Sequence, residues 1–242
     1  MDFRPSGGMA LRLLLLPGMD GTGHLFEPLI QALPASINAV AASYPTDLPL
    51  GYDQLLPMVE SMVTEEPFVV LGESFSGPLA VMLAATRPQS LCGVVLCASF
   101  IQFPLPVPER WRNALKPWMF RLQPLGLLSL VLLGSHGFGK LGSSLRNAVR
   151  SVSPAAFAAR ARSVANVDVT KELKACSLPL LYLQARRDLV IRPNSWKRIR
   201  AARPDAELAV LDGPHLVLQV SPQQAAERLL QFLNRCDPSY QP

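Results

Sequence analysis

The chain has 242 residues, of which 49% are apolar and 17% are charged, and its length fits one α/β domain better than two small ones. Its 23 prolines, spread along the chain, argue against a coiled coil or a disordered tail. Its 23 Lys and Arg outnumber its 18 Asp and Glu, yet the basic residues form no run with interleaved aromatics, which excludes the usual nucleic-acid-binding pattern. A mildly basic face would steer an anionic substrate or an acidic carrier protein, although an ordinary solvated surface explains the same charges.

The cysteines and histidines do not indicate a metal site. The four cysteines are Cys92, Cys97, Cys176 and Cys236. None of them has CxxC spacing and the chain holds three histidines, so we expect neither zinc nor any other cofactor. Leu13–Leu16 is too short for a signal peptide, and Leu125–Leu133 is far below the ~20 residues of a membrane span. We therefore predict a soluble, cytoplasmic protein with reduced thiols.

Six short apolar segments that end at turn-forming residues predict strands. They are Leu11–Leu16, Ile37–Ser43, Phe68–Leu71, Gly93–Cys97, Leu178–Gln184 and Glu207–Leu211. Continuous apolar runs are typical of parallel strands that are covered on both faces. Helical stretches alternate with them, at His24–Ala32, Gly51–Val63, Phe75–Thr86 and Pro222–Leu233. This alternation predicts a doubly wound, mostly parallel α/β sheet.

One long stretch, from Ile101 to Cys176, interrupts the alternation. It contains no strand pattern, only helical pieces at Arg110–Leu122, Leu125–Leu133, Ser143–Val152 and Pro154–Ala165. About 70 residues is far more than a strand-to-strand crossover requires. We predict that residues 1–100 and 177–242 form the core, and that residues 101–176 form a helical cap inserted over one edge of the sheet.

A candidate nucleophile, Ser74, lies between a predicted strand and a predicted helix. The segment reads Gly72-Glu-Ser-Phe-Ser-Gly77, and a serine on so sharp a turn needs small residues two positions away on each side. Gly72 meets that need, and Ser76 replaces the usual glycine of G-x-S-x-G with a residue nearly as small. The alternative interpretation is that Ser74 only caps the following helix.

Ser74 needs a base, and the base needs a carboxylate. His215 follows the last predicted strand, at the same sheet edge as Ser74, whereas His24 and His136 are expected to face solvent or a turn. A structural role in the loop is the alternative for His215. Asp188 follows the strand Leu178–Gln184 and gives the chain order Ser, Asp, His. Asp212 is the alternative acid, but three residues before His215 it is better explained as a turn residue.

The loop Leu16-Pro-Gly-Met-Asp-Gly-Thr-Gly23 follows the first predicted strand. Its glycines allow backbone N–H groups to point inward, so Met19 is the predicted donor to an oxyanion, together with the N–H of Phe75 after the nucleophile. An ordinary turn with Asp20-Gly21 at its tip is the alternative.

With these motifs, the chain resembles the α/β-hydrolase superfamily from about Leu11 to Leu233. The resemblance implies strands three to eight of that fold, without the first antiparallel hairpin. The glycine-rich opening loop and the serine turn are similar to those of small esterases and thioesterases, including pimeloyl-carrier-protein methyl ester esterases. Pro17-Gly18 stands where these proteins usually have His-Gly, so the backbone donor is kept and the flanking histidine is absent.

The resemblance implies hydrolysis of short-to-medium acyl esters through an acyl-enzyme. Thioester hydrolysis, a carrier-protein methyl ester substrate, and a non-catalytic binding module of the same fold remain alternatives. Apolar cap residues would form the acyl pocket; the candidates are Trp111, Trp118, Phe120 and Leu128. Nearby cations would contact a phosphopantetheine or an acidic acyl carrier protein; they are Arg110, Arg112, Lys116 and Arg121. Packing within the cap and a solvated face explain both sets equally well.

Overall fold

The computed structural model describes residues 11–103, 114–121 and 124–236. In this part of the chain, six strands form one all-parallel sheet in the order β2-β1-β3-β4-β5-β6. The strands are β1 (Arg12–Leu16), β2 (Asn38–Ala41), β3 (Phe68–Glu73), β4 (Leu91–Cys97), β5 (Leu180–Ala185) and β6 (Glu207–Leu211). Each corresponds to a predicted strand, β6 with the predicted ends and the other five with shifted ends, so the predicted doubly wound sheet is confirmed.

Helices connect these strands. The first three are α1 (Glu27–Ala32), α2 (Tyr52–Glu60) and α3 (Gly77–Ala85). The β4–β5 segment contains α4 (Leu125–Leu133), α5 (Lys140–Ser151), α6 (Pro154–Asn166) and α7 (Thr170–Ala175). The last three are α8 (Asn194–Ala202), α9 (Val217–Val220) and α10 (Pro222–Cys236). Short 3-10 helices lie at His24–Phe26, Ser74–Ser76, Pro117–Phe120 and Gly134–Phe138. The sequence did not predict α7, α8 or α9, which are short or largely polar.

Alternate side chains of the central strands β1, β3, β4 and β5 enter two different apolar layers, as the pleat requires. On one face, Leu14 and Val70 pack with α2, α3, α7 and α8. On the other face, Leu13 and Val69 pack with α1, α9 and α10. Because both faces of these central strands are covered, they carry continuous apolar runs rather than alternating polar residues.

The described part of the β4–β5 segment contains no strand, and its one bridge joins Gln102 to Asp168. Helix α6 begins at a well-capped end, where the Ser153 hydroxyl accepts a hydrogen bond from Ala156 N at 3.1 Å. Helices α4, α5 and α6 form a third apolar cluster with Leu25 and Leu216. Because these two residues belong to the segments after β1 and β6, the helices lie over the carboxyl edge of the sheet.

Candidate active site

The candidate residues all lie at the carboxyl edge of the sheet. Met19 follows β1, Ser74 follows β3, Asp188 follows β5 and His215 follows β6. Strands β1 and β3 are neighbours, while the chain runs from β1 to β2 on one side and from β3 to β4 on the other. This reversal of strand order opens a crevice at the strand ends, where ligands bind in open α/β sheets.

Ser74 occupies a strained turn between β3 and the 3-10 helix that leads into α3. Its φ is 49°, in the left-handed region that non-glycine residues rarely adopt. A side chain on Gly72 would collide with the carbonyl oxygen of Ser76 and with Gly77, which explains why the residue two positions before Ser74 is glycine. Such a backbone costs about 1–3 kcal/mol and persists only where the surrounding packing imposes it.

The structure brings Ser74, His215 and Asp188 into one hydrogen-bonded series. The distance from Ser74 Oγ to His215 Nε2 is 2.9 Å, and the distance from His215 Nδ1 to Asp188 Oδ2 is 2.8 Å. A carboxylate only accepts hydrogen bonds, so Nδ1 carries the proton and Nε2 is free to accept from the Ser74 hydroxyl. The His215 and Asp188 side chains are both buried, which shields this series from water.

The second carboxylate oxygen of Asp188 is held by the backbone. Oδ1 accepts hydrogen bonds from the N–H groups of Val190 and Ile191, each at 2.8 Å. The alternative acid, Asp212, is instead on the surface, where it pairs with Arg187 at 2.6 Å. Asp188, and not Asp212, therefore contacts the imidazole.

The two predicted oxyanion donors come from different segments, the 3-10 helix that begins at Ser74 and the loop after β1. Phe75 is the second residue of a 3-10 helix, a position whose N–H has no intrahelical acceptor. A side-chain carbon placed on Gly18 would lie 4.0 Å from Ser74 Cβ, so the loop after β1 passes close to the hydroxyl. Within the described residues, the Met19 N–H donates to no protein acceptor. Both N–H groups are therefore available to a ligand at Ser74.

A cavity of about 310 Å³ opens directly above the Ser74 hydroxyl and the His215 imidazole. Its wall is apolar and comes mainly from the β4–β5 segment and the loop after β1. The lining side chains include Met19, Leu25, Phe120, Leu128, Val131, Leu132, Leu145, Val149, Phe157, Val190 and Leu216. The cavity size falls at the lower end of small-molecule sites.

The four predicted wall residues have different positions. Phe120 and Leu128 line the cavity. Trp118 does not, because its side chain is turned toward solvent and is 66% exposed. The prediction for Trp118 is therefore corrected: the 3-10 helix Pro117–Phe120 presents Phe120 to Phe157, with ring centroids 6.3 Å apart, and leaves the indole outside. Trp111 lies outside the described residues, as do Arg110 and Arg112.

Two buried polar groups beside the site were not predicted from the sequence. Arg160 of α6 is fully buried, and its guanidinium donates to carbonyls of the loop after β1. Glu73, immediately before Ser74, is also buried and accepts from Gln219 Nε2 at 3.0 Å. Burial raises the pKa of Glu73 to about 8, with the nearby Asp20 charge adding to the rise and the Gln219 hydrogen bond opposing it. No sequence pattern distinguishes these two residues from surface charges.

Metal and membrane features are absent from the described ranges. No group of three or more His, Cys, Asp or Glu residues there is placed to hold a metal ion. The helices in those ranges lack the length and apolar character that a membrane crossing requires.

Known proteins resemble this chain in sequence and in fold. The biotin biosynthesis bifunctional protein BioHC of Cellvibrio japonicus is 27% identical over 228 residues, which cover 89% of this chain and 44% of that protein. The chain thus spans less than half the length of this curated relative. No protein-family model matches the sequence.

The structural likeness extends over almost the whole chain. The hydrolase olei00960 from Oleispira antarctica superimposes with a TM-score of 0.79 at 14% identity, over 94% of this chain and 92% of that one. A thermophilic esterase from Thermogutta terrifontis superimposes with a TM-score of 0.78 at 19% identity, over 95% of this chain and 92% of that one. The chain therefore has the α/β-hydrolase fold of these hydrolases and esterases.

Proposed function

We propose that this protein hydrolyses carboxylic esters through an acyl-enzyme intermediate. The observation that carries the proposal is the hydrogen-bonded series of Ser74, His215 and Asp188, with contacts of 2.9 and 2.8 Å, at the floor of an apolar cavity. In this proposal Ser74 is the nucleophile, His215 the general base and Asp188 the group that orients the imidazole.

Acylation follows from these contacts. As Ser74 Oγ attacks the ester carbonyl carbon, its proton moves to His215 Nε2 along the existing hydrogen bond. The imidazolium that forms is stabilised by Asp188, while Nδ1 keeps its own proton. When the tetrahedral intermediate collapses, the C–O bond to the alcohol breaks, and His215 gives the Nε2 proton to the leaving alkoxide.

Deacylation repeats the same proton transfers with water in place of Ser74. His215 takes a proton from a water molecule as the water oxygen attacks the acyl carbon. The bond to Ser74 Oγ then breaks, the serine regains its proton from His215, and the free acid leaves. The net reaction is ester plus water to acid plus alcohol, with the protein unchanged.

The N–H groups of Met19 and Phe75 are proposed to stabilise the oxyanion of both tetrahedral intermediates. Backbone donors fixed in a buried site need no reorganisation as the charge develops. Removing one such donor typically lowers kcat by about 10²–10³-fold. Two observations support this assignment: within the described residues the Met19 N–H has no protein acceptor, and the neighbouring Gly18 lies close to Ser74.

The cavity indicates an apolar acyl group without a second charge. Among the described residues, no Lys or Arg lines it; the polar side chains of its lining are Asp20, Ser74 and His215. A free carboxylate at the far end of the acyl chain would therefore have no partner there. A liquid water occupies about 30 Å³ and a methylene is similar, so 310 Å³ corresponds to about ten heavy atoms. Short-to-medium-chain esters of monocarboxylic acids are therefore the proposed substrates.

The second candidate function is hydrolysis of a thioester or of a methyl ester on an acyl group held by a carrier protein. The likeness to the bifunctional protein BioHC over 89% of the chain favours it. Lys116 and Arg121 are exposed beside the segment that lines the cavity and are two of the described cations that an acidic carrier would meet.

The experiment is a chain-length series of p-nitrophenyl esters and matched acyl-thioesters, assayed with wild-type protein and Ser74→Ala. We expect wild-type turnover to rise with chain length and then to stop, since each buried methylene contributes about 0.8 kcal/mol until the cavity is full. Ser74→Ala should abolish turnover in both series. A folded wild-type protein that hydrolyses neither series would instead indicate a binding module.

A further inference from the structure

Arg160 connects the β4–β5 segment to the loop that carries Met19. Its side chain is 0% exposed. Nη1 donates to the Met19 carbonyl at 2.8 Å and to the Asp20 carbonyl at 3.0 Å, while Nη2 donates to the Pro45 carbonyl at 2.8 Å. The guanidinium also lies 5.9 Å from the centroid of the Tyr44 ring. Three backbone carbonyls from two loops thus converge on one planar, five-donor group.

The loop leaves space for this guanidinium. A side-chain carbon on Gly21 would lie 2.7 Å from Arg160 Nη1, and Gly21 has a φ of +71°. Glycine at this position therefore provides both the left-handed backbone and the room that the arginine requires.

Ser76 fixes the other end of the same loop. Its buried hydroxyl donates to the Pro17 carbonyl at 2.5 Å and also contacts the Tyr44 hydroxyl at 2.9 Å. A glycine, the usual residue at this place of the serine turn, has no hydroxyl and could make neither contact. The departure from the usual motif therefore adds a direct hydrogen bond between the nucleophile turn and the loop after β1.

These contacts constrain the peptide between Gly18 and Met19 from both sides. The preceding peptide is held through the Pro17 carbonyl by Ser76, and the following peptide through the Met19 carbonyl by Arg160. The Gly18 carbonyl itself accepts from Gly21 N at 3.0 Å. Because peptide units are planar, fixing these carbonyls also fixes the direction of the Met19 N–H.

We propose that Arg160 and Ser76 are positioning residues that hold the Met19 N–H in its oxyanion-binding direction. Arg160 belongs to helix α6, in the segment that also lines the acyl cavity. A change in the position of α6 would therefore also change the oxyanion site. Neither side chain contacts the reacting atoms. The inference rests on the proposed function and adds to it a coupling between the cavity wall and the site of charge stabilisation.

The test compares a p-nitrophenyl hexanoate with its thiono analogue, in which sulfur replaces the carbonyl oxygen. Sulfur is a weak hydrogen-bond acceptor, so only the oxoester gains fully from an aligned oxyanion site. We would measure kcat and KM for both esters with wild-type protein, Arg160→Met, Arg160→Lys and Ser76→Gly. Active-site concentrations come from titration with a fluorophosphonate, which removes any effect of a smaller folded fraction.

Arg160→Met and Ser76→Gly should each lower the oxoester kcat per active site between about 10- and 100-fold, with KM little changed. The ratio of oxoester to thionoester kcat should fall by a similar factor. Arg160→Lys should retain part of that ratio. The matched control is Arg150→Met, on the exposed side of neighbouring helix α5, which should leave kcat, KM and the ratio unchanged.

The inference would be overturned if folded Arg160→Met and Ser76→Gly had the same ratio of oxoester to thionoester kcat as wild type. A purely structural role lowers the active fraction and leaves this ratio unchanged. If Arg160→Met does not fold, Ser76→Gly and Arg160→Lys decide by the same criterion. A wild-type protein that forms no fluorophosphonate adduct at Ser74 refutes the proposed function and this inference with it. Wild-type turnover with unchanged ratios in the variants refutes the inference alone.

Discussion

Replacing Asp188 with Asn should abolish most activity because it changes which ring nitrogen of His215 carries the proton. The geometry of the site should change little. The Oδ1 atom of Asp188 accepts two backbone hydrogen bonds, from Val190 and Ile191. The amide of the Asp188→Asn side chain has only one oxygen, which must remain with those two N–H groups. The amide nitrogen then faces His215 Nδ1 and donates to it, so the ring proton moves to Nε2. An imidazole protonated at Nε2 cannot accept the proton of Ser74.

The expected loss in kcat is about 10⁴-fold, the size found when a triad aspartate becomes asparagine in a serine protease. This corresponds to about 5.4 kcal/mol of lost transition-state stabilisation, at about 1.36 kcal/mol for each tenfold step. The opposite orientation of the Asn amide would restore the proton to His215 Nδ1. It is unfavourable because it places the NH₂ group, which is a donor, against the Val190 and Ile191 N–H groups, which are also donors. The assay is kcat/KM for a p-nitrophenyl ester, with circular dichroism to verify folding.

Asp212→Asn is the matched control, because the Asp212 side chain lies at the surface. It is 53% exposed and forms an ion pair with Arg187. Exposed pairs contribute about 0–1 kcal/mol to stability, so we expect activity within about threefold of wild type. Folded Asp188→Asn that retains at least about a tenth of wild-type kcat/KM, or a greater loss in Asp212→Asn, would refute this reasoning.

Two further perturbations test the cavity and the buried carboxyl group. Leu128→Ala and Phe120→Ala should each move the chain-length limit upward, because each removes part of the cavity wall, and Phe120→Ala should move it further because it removes the larger side chain. Trp118→Ala should leave the limit unchanged; equal profiles in all three variants would contradict the assigned wall. Glu73→Gln should gain stability relative to wild type as pH rises from about 4.5 to about 8, because folded wild-type protein keeps a proton that the unfolded chain loses. Measured by urea unfolding, the difference in free energy of unfolding between Glu73→Gln and wild type should widen by about 1.4 kcal/mol per pH unit within that window. The same pH dependence of stability in both proteins would contradict a protonated Glu73.

The sheet was predictable because parallel strands buried on both faces must be apolar throughout. The segments Phe68–Leu71 and Gly93–Cys97 therefore stood out in the sequence, and turn residues marked their ends. Helix α8, Asn194–Ala202, was missed because it has few apolar residues and buries only one side, around Ile199. Short, largely polar helices of this kind depend on tertiary packing more than on their own sequence pattern.

Chain order and strand ends were enough to bring Ser74, Asp188 and His215 to one edge of a parallel sheet. The position of Arg160 was not predictable, because its burial depends on carbonyls 115 to 141 residues earlier in the chain. Trp118 shows the converse: an aromatic residue in an apolar segment suggested a wall position, yet the turn of the 3-10 helix directs it to solvent.

The most direct test of Ser74 as the nucleophile is the mass of the protein after reaction with a fluorophosphonate. We predict one adduct per chain, located on Ser74 by peptide mapping, with no adduct in folded Ser74→Ala and much slower labelling in folded His215→Ala. Labelling at another residue, or equal labelling of wild type and Ser74→Ala, would contradict the proposed role of Ser74.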